Sequence, residues 1–163
     1  MYIIVGLGNP GEEYVHTRHN TGRLALAYLE KKELKGIKFI HLDTFMNKSG
    51  SATAKVVKSK KAVEKLIVIH DDLDLPLGTF KISYGRGSGG HKGVESIIKA
   101  LKTKEFIRIR IGIGKKGDVE KYILGEFKKS ELETIKKVFK RASEAVQMIV
   151  EEGITRTMTE FNQ

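Results

Sequence analysis

Cysteine is absent from the chain, and proline occurs only twice. Without a thiol there is no disulfide scaffold, no thiolate zinc or iron–sulfur ligation and no cysteine nucleophile. Long apolar runs are missing too: apolar residues make up 40% of 163, and no run approaches the roughly 20 residues that a membrane helix needs. The opening segment, Met1-Tyr2-Ile3-Ile4-Val5-Gly6, lacks a basic region ahead of its apolar one and reads as a strand, not as a secretory signal. What is left is one domain's worth of chain, residues 1–163. A chain of that size buries roughly 70% of its unfolded surface and folds without a metal or disulfide staple.

Charge of one sign is in excess. The formal net charge is +10, and it is unevenly spread. Between Tyr84 and Gly117 stand Arg86, Lys92, Lys99, Lys102, Lys104, Arg108, Arg110, Lys115 and Lys116, against only Glu95 and Glu105. Such clustering is the electrostatic footprint of a polyanion partner, most often nucleic acid. A Lys/Glu-rich surface of the kind seen in heat-tolerant organisms is the competing explanation.

Strands and helices alternate along the chain. Tyr2 to Leu7 is a continuous β-branched run, predicted as a strand buried on both faces. Asn20 or Thr21 can cap a helix to about Glu33 with Leu24, Tyr28 and Leu29 inward. Ile37–Leu42, Leu66–His70 and Phe80–Tyr84 read as strands, and Phe106–Ile113 as a strictly alternating one. Helices are expected over Ser49–Lys58 and Gly93–Lys102. The clearest begins at Ser130, where Ser130-Glu131-Leu132-Glu133 forms a capping box, and ends at Gly153, with a short helix from about Ile154. This alternation predicts a single α/β domain with a central β-sheet flanked by helices. The short connection from Asp74 to Phe80 makes the sheet mixed.

Chemistry belongs where loops leave strand ends. Gly6-Leu7-Gly8-Asn9-Pro10-Gly11 spells G-x-G-x-x-G after a strand, the dinucleotide fingerprint. It fails physically, because Glu12-Glu13 follows the last glycine where a pyrophosphate should meet a helix N-terminus. The string recurs at Gly85–Gly90, just ahead of His91-Lys92-Gly93 and a helix, which fits either an anion nest or a flexible turn. His16 and His19 stand at H-x-x-H spacing, and His70-Asp71-Asp72-Leu73-Asp74 packs four potential ligands. A metal site, a solvated turn, or an acid orienting a histidine as general base are all compatible with these residues. His41 reads as structural, and Asn47 as either a helix cap or a substrate donor.

Taken together, GLGNPG with Tyr14 and Thr17-Arg18-His19-Asn20, then TFMNKSG, HDDLDLPLG, GSGGHKG and IRIGIG resemble, in order and interval, the bacterial-type peptidyl-tRNA hydrolases. The resemblance spans Tyr2 to about Gly125. It implies hydrolysis of the ester joining a nascent peptide to the 3′ ribose of tRNA, by a cytoplasmic monomer that needs neither metal nor other cofactor and touches no membrane. It further implies that His19 is the general base, Asp71 its orienter, Asn9 the holder of the peptide portion, and Asn47 a positioning and oxyanion donor. By the same resemblance Tyr14 and Phe45 line the cleft for the tRNA 3′ end, and Arg110, Lys81 and Lys92 contact phosphates. Three departures stand out: Lys92 where the family has asparagine, Ser83 where a basic residue is expected, and a short Glu33–Asp43 segment. A non-catalytic RNA-binding relative and a nucleotide-cofactor enzyme are the competing functions. The paired His19 and Asp71 count against the first, and the loop spacing against the second.

Overall fold

The structure is a computed structural model that describes residues 1–162. A five-stranded sheet in the order β2-β1-β3-β5-β4 forms its centre, with β1 Tyr2–Gly6, β2 Ile37–Ile40, β3 Leu66–Asp72, β4 Phe80–Tyr84 and β5 Ile107–Gly112. Four strands run parallel and β4 alone is antiparallel, paired with β5. The sheet is therefore mixed as expected, but β4 does not fold back onto β3. It crosses over, and β5 inserts between the two.

Helices α1 (Thr21–Glu30), α6 (Lys129–Glu152) and α7 (Ile154–Phe161) cover one face. There Ile4, Ile67, Ile69, Ile107, Ile109 and Ile111 meet Leu26, Leu29, Ile135, Phe139, Ala142 and Val146. Helices α2 (Ser49–Ala54), α3 (Lys60–Glu64) and α4 (Lys92–Leu101) cover part of the other, over Val5, Leu66, Val68 and Phe106. The remaining short helix, α5 (Val119–Leu124), has no buried residue and flanks the cleft described below. On β5 the alternation works as read: the isoleucines feed the first core, while Arg108 and Arg110 lie on the other side, where they line the same cleft. The outer edge of β4 is closed by Asn162, whose side-chain amide exchanges two 2.8 Å hydrogen bonds with the Ile82 backbone.

Several boundaries differ from the sequence expectation. Helix α1 ends three residues early and centres its buried face on Ala25, Leu26 and Leu29, leaving Leu24 and Tyr28 at the margin. Helix α6 starts at Lys129, not at Ser130, because Glu131 reaches back to the Lys128 amide at 2.7 Å and takes the role assigned to Glu133. The segment read as one helix from Ser49 stops at Ala54, and α3 and α5, capped by Ser59 and Asp118, carry too little apolar periodicity to be seen.

Candidate active site

Each residue of Thr17-Arg18-His19-Asn20 has its own partner. Thr17 Oγ1 donates to the Tyr14 carbonyl (2.8 Å), closing the turn. Arg18 Nη2 reaches Glu131 (3.2 Å) and Nη1 the Tyr122 carbonyl (3.3 Å), while its guanidinium lies 4.3 Å above the Tyr122 ring. Asn20 does not cap α1. Its Oδ1 accepts from the Asn9 amide (2.7 Å) and its Nδ2 donates to the Asn9 carbonyl (2.9 Å), clamping the loop after β1. Asn9 in turn accepts the Met46 amide on Oδ1 (2.8 Å), which leaves its Nδ2 without a partner among the described residues. Close backbone packing makes this possible. A Cβ on Gly22 would lie 2.3 Å from the Ile69 carbonyl and 2.5 Å from the Leu7 amide, so only glycine lets α1 start against β1 and β3.

His19 Nδ1 meets Asp71 Oδ2 at 2.8 Å, and His91 Nε2 meets Asp71 Oδ1 at 2.9 Å. The tautomers follow from the surroundings. His91 caps α4, its Nδ1 accepting the amides of Gly93 (3.1 Å) and Val94 (3.3 Å), so its proton is on Nε2 and is given to Asp71. Asp71 is thus a buried carboxylate with one imidazole N–H on each oxygen. Burial alone would raise its carboxyl group; the His91 ring and the bonds from His19 and His91 outweigh this and hold it well below the usual carboxylate range. Because Asp71 takes the proton of His19 Nδ1, the lone pair of that ring is on Nε2, which has no hydrogen-bond partner among the described residues. A third ring, His70, is 2% exposed and stands 4.8 Å from His91.

These groups floor one end of a cleft of about 1320 Å³. Of the nine residues singled out from sequence, seven line it: Asn9, His19, Phe45, Asn47, Asp71, Lys92 and Arg110. Tyr14 lies outside the lining and props Phe45 edge-on, ring centres 6.4 Å apart. Lys81 is also outside it, exposed on β4 in register with Arg110. Asn47 is exposed and its side chain caps no helix. Arg110 is held by Asp72 (Nε–Oδ2 2.7 Å) and by Ser83 Oγ (3.1 Å), so Ser83, where a base was expected, serves to orient one. At Gly85–Gly90 the anion-nest reading gives way, because His91 already occupies the first free amides of α4.

His91, Arg108 and Arg18 were given no individual role from sequence, and His70 only that of one possible metal ligand, which the structure does not group with the others. A histidine directly after Gly-Gly at a helix start was the available signal for His91; burial of Arg108 had none. The donor atoms of His19, Asp71 and His91 lie within 4.8 Å of one another and are the group among the described residues that could hold a metal ion. An ion there would have to displace the hydrogen bonds already joining them. His16 is not part of it.

The sequence pattern of the peptidyl-tRNA hydrolase family matches residues 3–163. The chain belongs to that family. Among its relatives are the peptidyl-tRNA hydrolases of Thermodesulfovibrio yellowstonii, 43% identical with all of both chains covered, and of Alkaliphilus oremlandii, 41% identical over 99% of this chain and all of that one. The first alignment runs over 186 positions against the 163 residues present here, so that relative carries segments this chain lacks. The crystal structure of the peptidyl-tRNA hydrolase from Acinetobacter baumannii superimposes with a TM-score of 0.89 at 29% identity, covering 99% of this chain and 94% of that one. The fold, a single mixed-sheet α/β domain, is the family's.

Proposed function

We propose that the protein hydrolyses the ester between the peptide and the 3′ ribose of peptidyl-tRNA, with His19 as the general base. The observation that supports this above others is the His19–Asp71 pair at 2.8 Å, which turns the free Nε2 lone pair toward the cleft. A water between Nε2 and the ester carbonyl gives up its proton to Nε2 as its oxygen bonds to the carbonyl carbon. The imidazolium formed is stabilised by Asp71, and it returns the proton to the departing ribose 3′ oxygen. General-base help of this kind is worth roughly 10²–10⁴-fold.

The amides supply positioning. With Oδ1 engaged by Met46, Asn9 offers its Nδ2 as a donor to a peptide carbonyl, a bond that the ammonium of an unblocked aminoacyl group cannot accept. Asn47, whose side chain has no hydrogen-bond partner among the described residues, serves as donor to the oxyanion, a contribution of roughly 10²–10³-fold. Phe45, propped by Tyr14, offers a stacking surface for the tRNA 3′ end. Arg110, Lys92 and, farther out, Lys81 contact phosphates, so binding weakens as salt rises. No helix of the described residues is long and apolar enough to cross a membrane. We place it in the cytoplasm with its tRNA substrate, acting as a monomer and without an added cofactor.

The test is turnover of an N-acetyl-aminoacyl-tRNA by the purified, chelator-treated protein. Wild type should release the blocked amino acid and spare the unblocked aminoacyl-tRNA. His19→Ala should bind tRNA with wild-type affinity and lose at least about 100-fold in rate. A His19→Ala variant that cleaves at the wild-type rate overturns the mechanism.

A further inference from the structure

Arg108 belongs by sequence to the basic stretch and lies two residues from Arg110 on the same side of β5. Its surroundings are different. Arg110 has a carboxylate in salt-bridge contact; Arg108, 5% exposed, has none among the described residues. Its Nη2 donates to the Gly87 carbonyl at 2.8 Å, and its Nη1 approaches His70 Nε2 at 3.4 Å. His70 Nδ1 in turn meets the Asp71 carbonyl at 2.7 Å. A guanidinium can only donate and a carbonyl can only accept, so every direction is fixed: Arg108 gives to both neighbours, and His70 is neutral with its proton on Nδ1. Burial, then the His91 ring and Arg108, hold the His70 imidazole well below its ordinary range, in keeping with that state.

One end of this chain is a loop that little else restrains. Among the described residues, the Arg108 bond is the only side-chain hydrogen bond reaching Gly85–Gly90 from outside the loop. A Cβ on Gly85, Gly87, Gly89 or Gly90 would meet nothing within 4 Å. This loop forms one wall of the cleft. The other end is the main chain of Asp71, whose two oxygens must meet two imidazoles at once.

Building on the hydrolytic mechanism above, we propose that Arg108 is a positioning residue and not a phosphate contact: it pins the glycine loop and, through neutral His70, holds Asp71 where both carboxylate oxygens reach their rings. Both of its terminal nitrogens are engaged, by Gly87 and by His70, and the side chain is 5% exposed, so tRNA affinity should not depend on them. The chemical step does, because misplacing a catalytic group by an ångström costs roughly 10–100-fold.

The test measures single-turnover cleavage of N-acetyl-aminoacyl-tRNA at saturating enzyme, and tRNA affinity across a salt series. Arg108→Gln, Arg108→Lys, Arg110→Gln and His19→Ala are assayed in parallel. Both Arg108 variants should lose about tenfold or more in rate. Lysine counts here because it keeps the charge but cannot bridge Gly87 and His70 together. The slope of log Kd against log salt should stay at the wild-type value for both, whereas Arg110→Gln should lower it by about 0.9. Nitrogen-15 spectra should show the His70 Nδ1–H signal perturbed in both. A slope reduced by about 0.9 in the Arg108 variants, or wild-type cleavage by them at saturation, overturns the proposal. If Arg108→Gln does not fold, Arg108→Lys is judged by the same criteria. An active His19→Ala would instead show that the general-base mechanism is wrong.

Discussion

Asp71→Asn is the substitution on which the geometry is most explicit. Two imidazole N–H groups converge on the carboxylate, one on each oxygen. An asparagine has the same shape but offers one acceptor and one NH₂ donor, so one histidine must give up its donor role. His91 cannot, because a proton moved to its Nδ1 would face the amides of Gly93 and Val94. The amide oxygen therefore turns to His91 and the NH₂ to His19 Nδ1, which must now accept. The proton of His19 moves to Nε2, the atom that has to be basic. The fold keeps every bond but exchanges a charged acceptor for a neutral one, a cost of about 1 kcal/mol, or a Tm loss of roughly 2–4 °C. Catalysis loses most of its general-base term, about 10³-fold or 4 kcal/mol in the barrier. Steady-state cleavage of N-acetyl-aminoacyl-tRNA gives the rate, thermal unfolding the stability, and nitrogen-15 NMR of the imidazoles the tautomer. A variant that stays within tenfold of the wild-type rate, or whose His19 still carries its proton on Nδ1, would refute the chain of reasoning.

Other perturbations test neighbouring links. His70 is held neutral in the fold, below its unfolded value of about 6.5. The unfolded chain therefore binds more protons below that pH, and unfolding free energy should fall with acidity by up to about 1.4 kcal/mol per pH unit. Denaturant titrations between pH 7 and 5 should show this slope reduced in His70→Gln; Asp71, depressed well below its usual range, adds its own loss only near and below about pH 4. Gly22→Ala puts a methyl group 2.3 Å from the Ile69 carbonyl and should cost roughly 3 kcal/mol, seen as a Tm drop of about 6–12 °C. Asn9→Asp keeps the acceptor for the Met46 amide but loses the free NH₂, so kcat/KM should fall roughly 10–100-fold with little change in Tm.

Local signals were readable wherever one element decides its own fate. The apolar runs of β1 and β3, the alternation of β5 and the stop at Gly153 all follow from neighbours in sequence, and the structure has them. The glycine motif after β1 was legible as a loop but not in its purpose: Gly6 faces Gly22, where a Cβ would lie 2.1 Å from the opposing carbonyl. Asn20 looked like a cap because its type and place fit one, yet its side chain serves a loop eleven residues back. His91 and Asp71 are brought together by the crossover from β3 through β4 to α4, which periodicity does not report. Arg108 is hidden for a related reason. An alternating strand predicts one wet face, and nothing local tells that the face at that point lies beneath a loop.

The place of the site follows from strand order. From β1 the chain moves outward to β2, and from β3 it moves the opposite way to β4 and β5, so the connections diverge between two adjacent parallel strands. Divergence opens a crevice at the carboxyl ends of those strands. Asn9 follows the end of β1, and Asp71 lies at the end of β3, with Gly6 and Ile69 in register between them. The β1–β3 ladder therefore brings the loop of Asn9 beside the end of β3. What loops and helices add is direction: Asn20 turns Asn9, and α4, through His91, decides which oxygen of Asp71 is left for His19. Substitution of exposed lining residues that bond to none of these groups, such as Lys104 and Lys115, should alter binding and leave this inner geometry intact.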